Sequence, residues 1–407
     1  MTGNRIYLDY NATTPLDPRV FETMTPYFIE NFGNAASQSH PFGWEAKKAV
    51  EAAREQLAAG IGASASELVF TSGATESDNI AILGTVEAYS EKKQKNHIIT
   101  VLTEHKAVLD PFAHLEKKGF QVTWLKPGKD GLISPEQVRE AICDKTLLVS
   151  VMHVNNEIGV IQPISEIGAV CREKGVFFHT DATQSVGKIA LDVEKDNIDL
   201  LSMSAHKIYG PKGVGVLYAR KRNPRVKPAP LFYGGGHERG MRSGTLNVPG
   251  IVGFAKALEL CIAVMGPEAE RLSGLRNKLE KALLAELDHT FVNGHPEKRV
   301  PGCSNMSFGY VEGEGLMMAM PEVAVSSGSA CTSANLSPSH VLRAIEVPDA
   351  YIHSSLRFSM GRFTTESEID TVIERVISGV KKLREMSPLY EMAMEGIDLS
   401  TVEWRGH

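Results

Sequence analysis

Two residues carry the clearest chemical signal: Asp181, which ends an apolar stretch, and Lys207, in Ser204-Ala205-His206-Lys207. An acid at the tip of one buried strand and an amine just past the next suit an aldehyde cofactor. The amine forms a Schiff base with pyridoxal 5'-phosphate, and the carboxylate keeps the pyridine nitrogen protonated so that the ring draws electrons. One cysteine, Cys331, then stands in the small-residue run Ser326-Ser-Gly-Ser-Ala-Cys-Thr-Ser-Ala334. A run so free of bulk and charge is expected to move, and an electron sink beside a swinging thiol points to sulfur chemistry on an amino acid.

Other polar residues gather where buried strands should end. Ser72-Gly-Ala-Thr-Glu-Ser-Asp78 follows an apolar run and opens a helix, so its backbone N–H groups offer a phosphate seat. The same residues also make an ordinary helix start. His105 could face the cofactor and shuttle protons, or be a satisfied structural imidazole. Asp181 alone reads equally as a cap, and Gln184 as a surface amide. His153-Val-Asn-Asn-Glu-Ile-Gly159 is a turn by composition, or it brings Asn156 to the cofactor and substrate. In Ser355-Leu-Arg-Phe-Ser-Met-Gly-Arg362, alternation puts Arg357, Ser359 and Gly361 on one face and Leu356, Phe358 and Met360 on the other. An arginine emerging from such a half-buried strand suits a carboxylate, with a surface ion pair as the plain alternative. Gly210-Pro-Lys-Gly-Val-Gly215 lacks the Lys-Ser/Thr ending of a nucleotide loop and enters a strand.

These residues need elements to position them. Apolar runs at 67–71, 97–102, 120–125, 147–154, 176–180, 200–203 and 213–218 alternate with helical stretches. That pattern predicts an α/β fold with a mainly parallel seven-stranded sheet covered on both faces, ligands gathering beyond the strand ends. Phe42, Ala46, Val50, Ala53 and Leu57 predict a helix stopped at Gly60. Leu272, Leu275, Leu279, Leu283 and Leu287 predict a helix that begins a second, smaller domain, and Thr365-Glu-Ser-Glu368 reads as a capping box. Ser337-Pro338 reads as the cap that ends the cysteine loop, 326–336. The expected division is a large domain, 15–262, and a small one, 1–14 with 263–407, bearing that loop and a C-terminal docking tail.

Composition sets bounds. The 407 residues, 43% hydrophobic and 23% charged, allow a large core, and a net charge of −6 gives no reason to expect nucleic acid. No apolar run suggests a membrane span. Five cysteines without a Cys-x-x-Cys pair argue for a reducing, cytoplasmic setting. Cys143, Cys171 and Cys261 read as small buried residues; Cys303 is open, with a structural role favoured.

Taken together, the chain closely resembles the cysteine desulfurases of the NifS/IscS group, within the class V aminotransferase-like, fold-type I pyridoxal-phosphate enzymes. The resemblance runs from Tyr7-Leu-Asp-Tyr-Asn-Ala-Thr-Thr-Pro15 to Val402-Glu-Trp404. It includes Thr71-Ser-Gly-Ala-Thr-Glu-Ser-Asp-Asn79, Asp181-Ala-Thr-Gln-Ser185, His206-Lys-Ile-Tyr-Gly-Pro-Lys-Gly213, Gly234-Gly-Gly-His-Glu-Arg-Gly-Met-Arg-Ser-Gly-Thr245 and the cysteine loop. It implies a large domain with a smaller α+β domain, Lys207 as the Schiff-base lysine and Cys331 as sulfur acceptor. It also implies a phosphate held by Ala74, Thr75, Ser204 and His206, with Thr245 given across a homodimer. Asn156, Asp181 and Gln184 would contact the ring, His105 would stack on it, and Arg357 would hold the carboxylate of L-cysteine. The ungapped loop resembles the housekeeping subgroup serving iron–sulfur assembly and routes such as tRNA thiolation. The tail from Ser387 resembles the segment that meets an IscU-like scaffold, where Cys331 would transiently ligate a cluster. An aminotransferase, a selenocysteine lyase or a chemically silent sulfur-relay protein are the alternatives.

Overall fold

The computed structural model describes residues 5–327 and 338–395. Its centre is a seven-stranded sheet of β2 (Leu68–Thr71), β3 (His97–Val101), β4 (Gln121–Leu125), β5 (Thr146–Ser150), β6 (Phe177–Asp181), β7 (Leu200–Ser204) and β8 (Gly215–Ala219), after a short β1 (Ile6–Tyr7). The spatial order is β2-β8-β7-β6-β5-β3-β4. All neighbours are parallel except β8, which runs antiparallel to both β2 and β7. The expected mainly parallel sheet is therefore present. Its apolar runs are continuous because alternate residues serve two cores. Phe70, Ile99, Val149, Phe178, Leu201 and Val216 pack into one cluster, and Val69, Ile98, Leu148, Phe177, Leu200 and Leu217 into another across the sheet.

The chain passes outward from β3 to β4 and then returns to place β5 on the other side of β3. That reversal opens a crevice beyond the carboxyl ends of β3 and β5, where such sheets bind ligands. His105 follows β3, Asn156 follows β5 and Asp181 ends β6.

A separate cluster joins Leu275, Leu279 and Leu283 to Met306, Phe308, Leu356, Phe358, Val372 and Val376. It lies against a four-stranded sheet of order β12-β13-β10-β9, from β9 (Thr290–Val292), β10 (Cys303–Phe308), β12 (Ser326–Ser327) and β13 (Ser355–Ser359). β1 pairs in parallel with β11 (Val323–Ala324). The predicted alternation holds, since Leu356, Phe358 and Met360 enter this core. The strand is buried on both faces rather than one, because its polar face meets other protein segments, not water.

Several local expectations need correction. The leucine-rich segment is the second half of one helix, Val248–Glu286, with Leu287 just past its end; the first half packs Phe254 and Leu258 into the sheet core, and the second packs Leu275, Leu279 and Leu283 into the separate cluster. An 18-residue window of this helix has mean hydropathy 1.8, long and apolar enough to cross a membrane, but half of that window is buried inside the fold. Ser337 lies outside the described residues, and the helix after it, His340–Ala344, is capped by Ser339, whose hydroxyl accepts from Leu342 N. Cys143 is exposed, because the chain turns just after the helix Pro135–Ala141, while Cys171, Cys261 and Cys303 are buried. The capping box is as predicted: Thr365 and Glu368 exchange hydrogen bonds to each other's backbone at the start of Glu366–Glu385, worth about 1 kcal/mol. The tail forms a helix, Pro388–Met394, and residues 396–407 lie outside the described part.

Candidate active site

A cavity of about 570 Å³ opens at the predicted crevice. Ala74, Thr75, His105, Asn156, Asp181, Gln184, Ser204, His206, Lys207 and Arg357 all line it. Ten residues named from sequence thus meet in one place. Thr245 is exposed and does not line the cavity of its own chain, and Cys331 lies outside the described residues.

At one end, β2 stops at Thr71 and a helix opens at Ala74, running through wider turns at Ile80–Gly84 to Lys93. Its first-turn N–H groups have no partner within the helix and face the cavity, a ready anion seat. Glu76 clamps this turn by accepting from Ser72 N at 2.7 Å and from Arg242 Nε at 2.8 Å. Gly215 must be glycine, since a Cβ there would stand 2.6 Å from the Gly73 backbone. A Cβ on Gly73, by contrast, would meet only Ser204 Oγ at 4.0 Å, so the seat is open. His206 Nδ1 lies 3.1 Å from Thr13 Oγ1, and burial with neighbouring Lys207 pushes its imidazole down to about 4, leaving it neutral.

The floor is acidic. Asp181 accepts from Thr183 N at 2.9 Å, and burial, with Asp78 nearby, raises its carboxyl to about 6. Neither Asp78 oxygen has a well-formed hydrogen bond among the described residues, and burial raises that acid to about 7 with only the nearby Ser202 hydroxyl opposing it. His179 Nε2 stands 3.5 Å from Asp78, yet burial pushes the imidazole down to about 4. At neutral pH this pair is therefore not a full ion pair. Glu104 accepts from Met152 N at 2.6 Å and is raised well above the usual carboxylate range by burial.

On the opposite wall, Lys207 Nζ donates to Asn11 O and Ala12 O, both at 2.7 Å. Gln184, buried rather than a surface amide, donates from Nε2 to the same Asn11 carbonyl at 2.8 Å. His105 caps the helix Lys106–Lys117, its Nδ1 accepting from Ala107 N at 3.1 Å. The ring's proton is thereby placed on Nε2, and burial keeps the imidazole neutral. Arg357 Nη1 donates to Asn156 O at 2.9 Å, and Nη2 to Asp9 Oδ1 at 2.6 Å and Ser326 Oγ at 3.2 Å. Asn11 and Asp78 line the cavity but are missed by spacing alone, as are Asp9 and Lys188, which pair with the lining residues Arg357 and Gln184; burial and these contacts are absent from local sequence.

The residues fit pyridoxal 5'-phosphate. The anion seat is open, the buried Asp181 carboxyl has no cation paired with it among the described residues, and Lys207 lines the same cavity. Among the described residues no group of three metal-ligating side chains forms.

The profile described as aminotransferase class-V matches residues 6–372. "Cysteine desulfurase IscS" of Anaeromyxobacter sp. (strain Fw109-5) is 60% identical over 399 residues, 98% of each chain. "Cysteine desulfurase, mitochondrial" of Arthroderma benhamiae is 55% identical over all of this chain and 80% of its own. A solved "NIFS-like protein" superposes with a TM-score of 0.86 at 37% identity, covering 93% of this chain and all of that one. With family profile, full-length identity and fold in agreement, the chain belongs to the class V aminotransferase family, in its cysteine desulfurase group.

Proposed function

We propose that this chain uses pyridoxal 5'-phosphate to convert L-cysteine to L-alanine, handing the sulfur to Cys331 as a persulfide and then to acceptors for iron–sulfur assembly and tRNA thiolation. The observation that carries this reading is the meeting of Lys207, Asp181 and Arg357 on one cavity. When bound through Lys207, the cofactor supplies an electron sink that weakens bonds at the substrate's carbons.

The chain's residues supply the rest. Ala74, Thr75, Ser204 and His206 hold the phosphate, and Thr245 joins them from the partner in a homodimer. Asp181 would hold a proton on the ring nitrogen, Asn156 and Gln184 would bond the ring's substituents, and His105 would pack against the ring. Arg357 binds the substrate carboxylate, a role that its fork geometry suits and that requires it to share or release Asp9. Lys207 Nζ and His105 Nε2 move protons on and off the substrate carbons. The Cys331 thiolate attacks the substrate sulfur, the carbon–sulfur bond breaks as the sulfur–sulfur bond forms, and the protonated remainder leaves as L-alanine. The tail from Ser387 docks an IscU-like scaffold, with Cys331 as a transient cluster ligand. Relatives of both bacterial and mitochondrial origin are close in sequence; the cysteine usage supports a cytoplasmic setting.

The test is an absorption spectrum before and after adding L-cysteine, with alanine assayed alongside and no keto-acid supplied. Wild type should be coloured and release alanine; Cys331→Ser should stay coloured and release none. A coloured wild type that requires a keto-acid, or undiminished turnover in Cys331→Ser, would overturn the reading.

A further inference from the structure

Lys188 belongs to none of the roles above; its side chain is half-buried and lines a neighbouring cavity together with Asn11 and Lys207, which also line the candidate site. It follows Gly187, whose φ of +74° turns the chain back on itself and whose Cβ, if present, would stand 3.1 Å from that of Cys261. The turn brings Lys188 Nζ to 2.7 Å from Gln184 Oε1. Among the described residues that amide oxygen is the only hydrogen-bond acceptor of the amine, and no carboxylate pairs with it. Burial, and then the charge of Lys207, push the amine down to about 8. Partial desolvation of an ammonium without a counter-charge is unfavourable, and the hydrogen bond to Gln184 is the contact that offsets it.

We propose that Lys188 is a positioning residue that fixes the amide of Gln184 so that an N–H, not the carbonyl oxygen, faces the cofactor cavity. The inference rests on the pyridoxal-phosphate reading and deepens it. An amide has one acceptor oxygen and two N–H donors. Oε1 is taken by Lys188 and one Nε2 hydrogen by Asn11 O at 2.8 Å. Turning the amide over would set its N–H groups against the ammonium and its oxygen against the Asn11 carbonyl, replacing two attractions by two repulsions. That leaves one Nε2 hydrogen for the cavity that Gln184 lines. A ring hydroxyl that ionises needs a donor there, since a carbonyl oxygen would repel it. Asn11 O also accepts from Lys207 Nζ, so one carbonyl ties both lysines to the same amide.

The experiment uses the full chain loaded with pyridoxal 5'-phosphate and titrates its visible band with pH. An unsupported phenolate is more basic, so the proton it shares with the Lys207 nitrogen should leave at higher pH. Lys188→Met should raise the midpoint by about one pH unit, a tenfold change in the ratio of the two forms, and shed cofactor faster on dilution. Lys188→Arg, which keeps a donor, should restore the wild-type midpoint. Gln184→Ala should shift the midpoint in the same direction, and adding Lys188→Met to it should shift it no further. A Lys188→Met midpoint equal to wild type overturns the proposal. So does an undiminished Lys188→Met shift in the Gln184→Ala background, which would mean that the charge acts directly across space. A wild type that never binds the cofactor sinks the cofactor reading and this inference together, whereas a loaded wild type with an unshifted variant sinks the inference alone.

Discussion

Asp78 should make the cofactor-free protein less stable as pH rises from about 4 to 7, opposite to the trend of an ion-paired carboxylate. Its carboxyl is fully buried, and burial raises it from 3.8 to about 7 against the opposing pull of the nearby Ser202 hydroxyl. A carboxyl whose folded value lies above its unfolded one contributes stability that is complete below about pH 4 and is lost as pH climbs through about 7. A gap of roughly three pH units corresponds to about 4 kcal/mol. Asp181, raised to about 6, acts with the same sign over a narrower window. The two carboxyls repel each other, so their effects overlap rather than add. Asp78→Asn keeps the shape of the neutral acid and cannot ionise. Urea unfolding of cofactor-free protein between about pH 4 and 7.5 should find the variant close to wild type at the acid end and ~2–4 kcal/mol more stable at the other. Parallel stability curves for the two proteins would refute the reasoning, because they would mean that Asp78 is already charged in the fold.

Two further outcomes follow from geometry. Arg357→Lys should raise the KM for L-cysteine about tenfold or more while leaving the visible band intact, because a single ammonium cannot reproduce the two-pronged grip on a carboxylate. Steady-state kinetics beside an absorption spectrum checks this. Glu238→Ala should cost about 3–5 kcal/mol in unfolding experiments, since it strands the buried Arg54 guanidinium, which donates to that carboxylate at 2.7 and 2.8 Å, and also unpairs Phe70 N. Glu238→Gln should cost less.

The sheet was legible because strands buried on both faces write unbroken apolar runs, and because a polar residue at the end of such a run is conspicuous. The same signal misleads where burial outlasts pairing. The run at 147–154 promises a long strand, but the β5 ladder ends at Ser150, while Val151 and His153 continue only through single bonds to the β6 carbonyls of His179 and Asp181. Ser337 and Ser339 flank the same proline, and spacing cannot choose between them as caps; only the position of Leu342 N does. Asp78 looks like any polar residue in a helix's first turns, and Lys188 like any surface lysine after a glycine. Their significance comes from what the fold brings against them. Cys143 was misjudged for the converse reason, since its apolar neighbours in sequence do not cover it in space.

The pairing of Arg357 with Asp9 spans 348 residues, and Ser359 reaches back as far to receive Asn11 N. The chain must therefore be made as far as residue 359 before this corner of the cavity can form. A chain cut short before Arg357 would lack this corner even though every strand of the seven-stranded sheet precedes it in sequence.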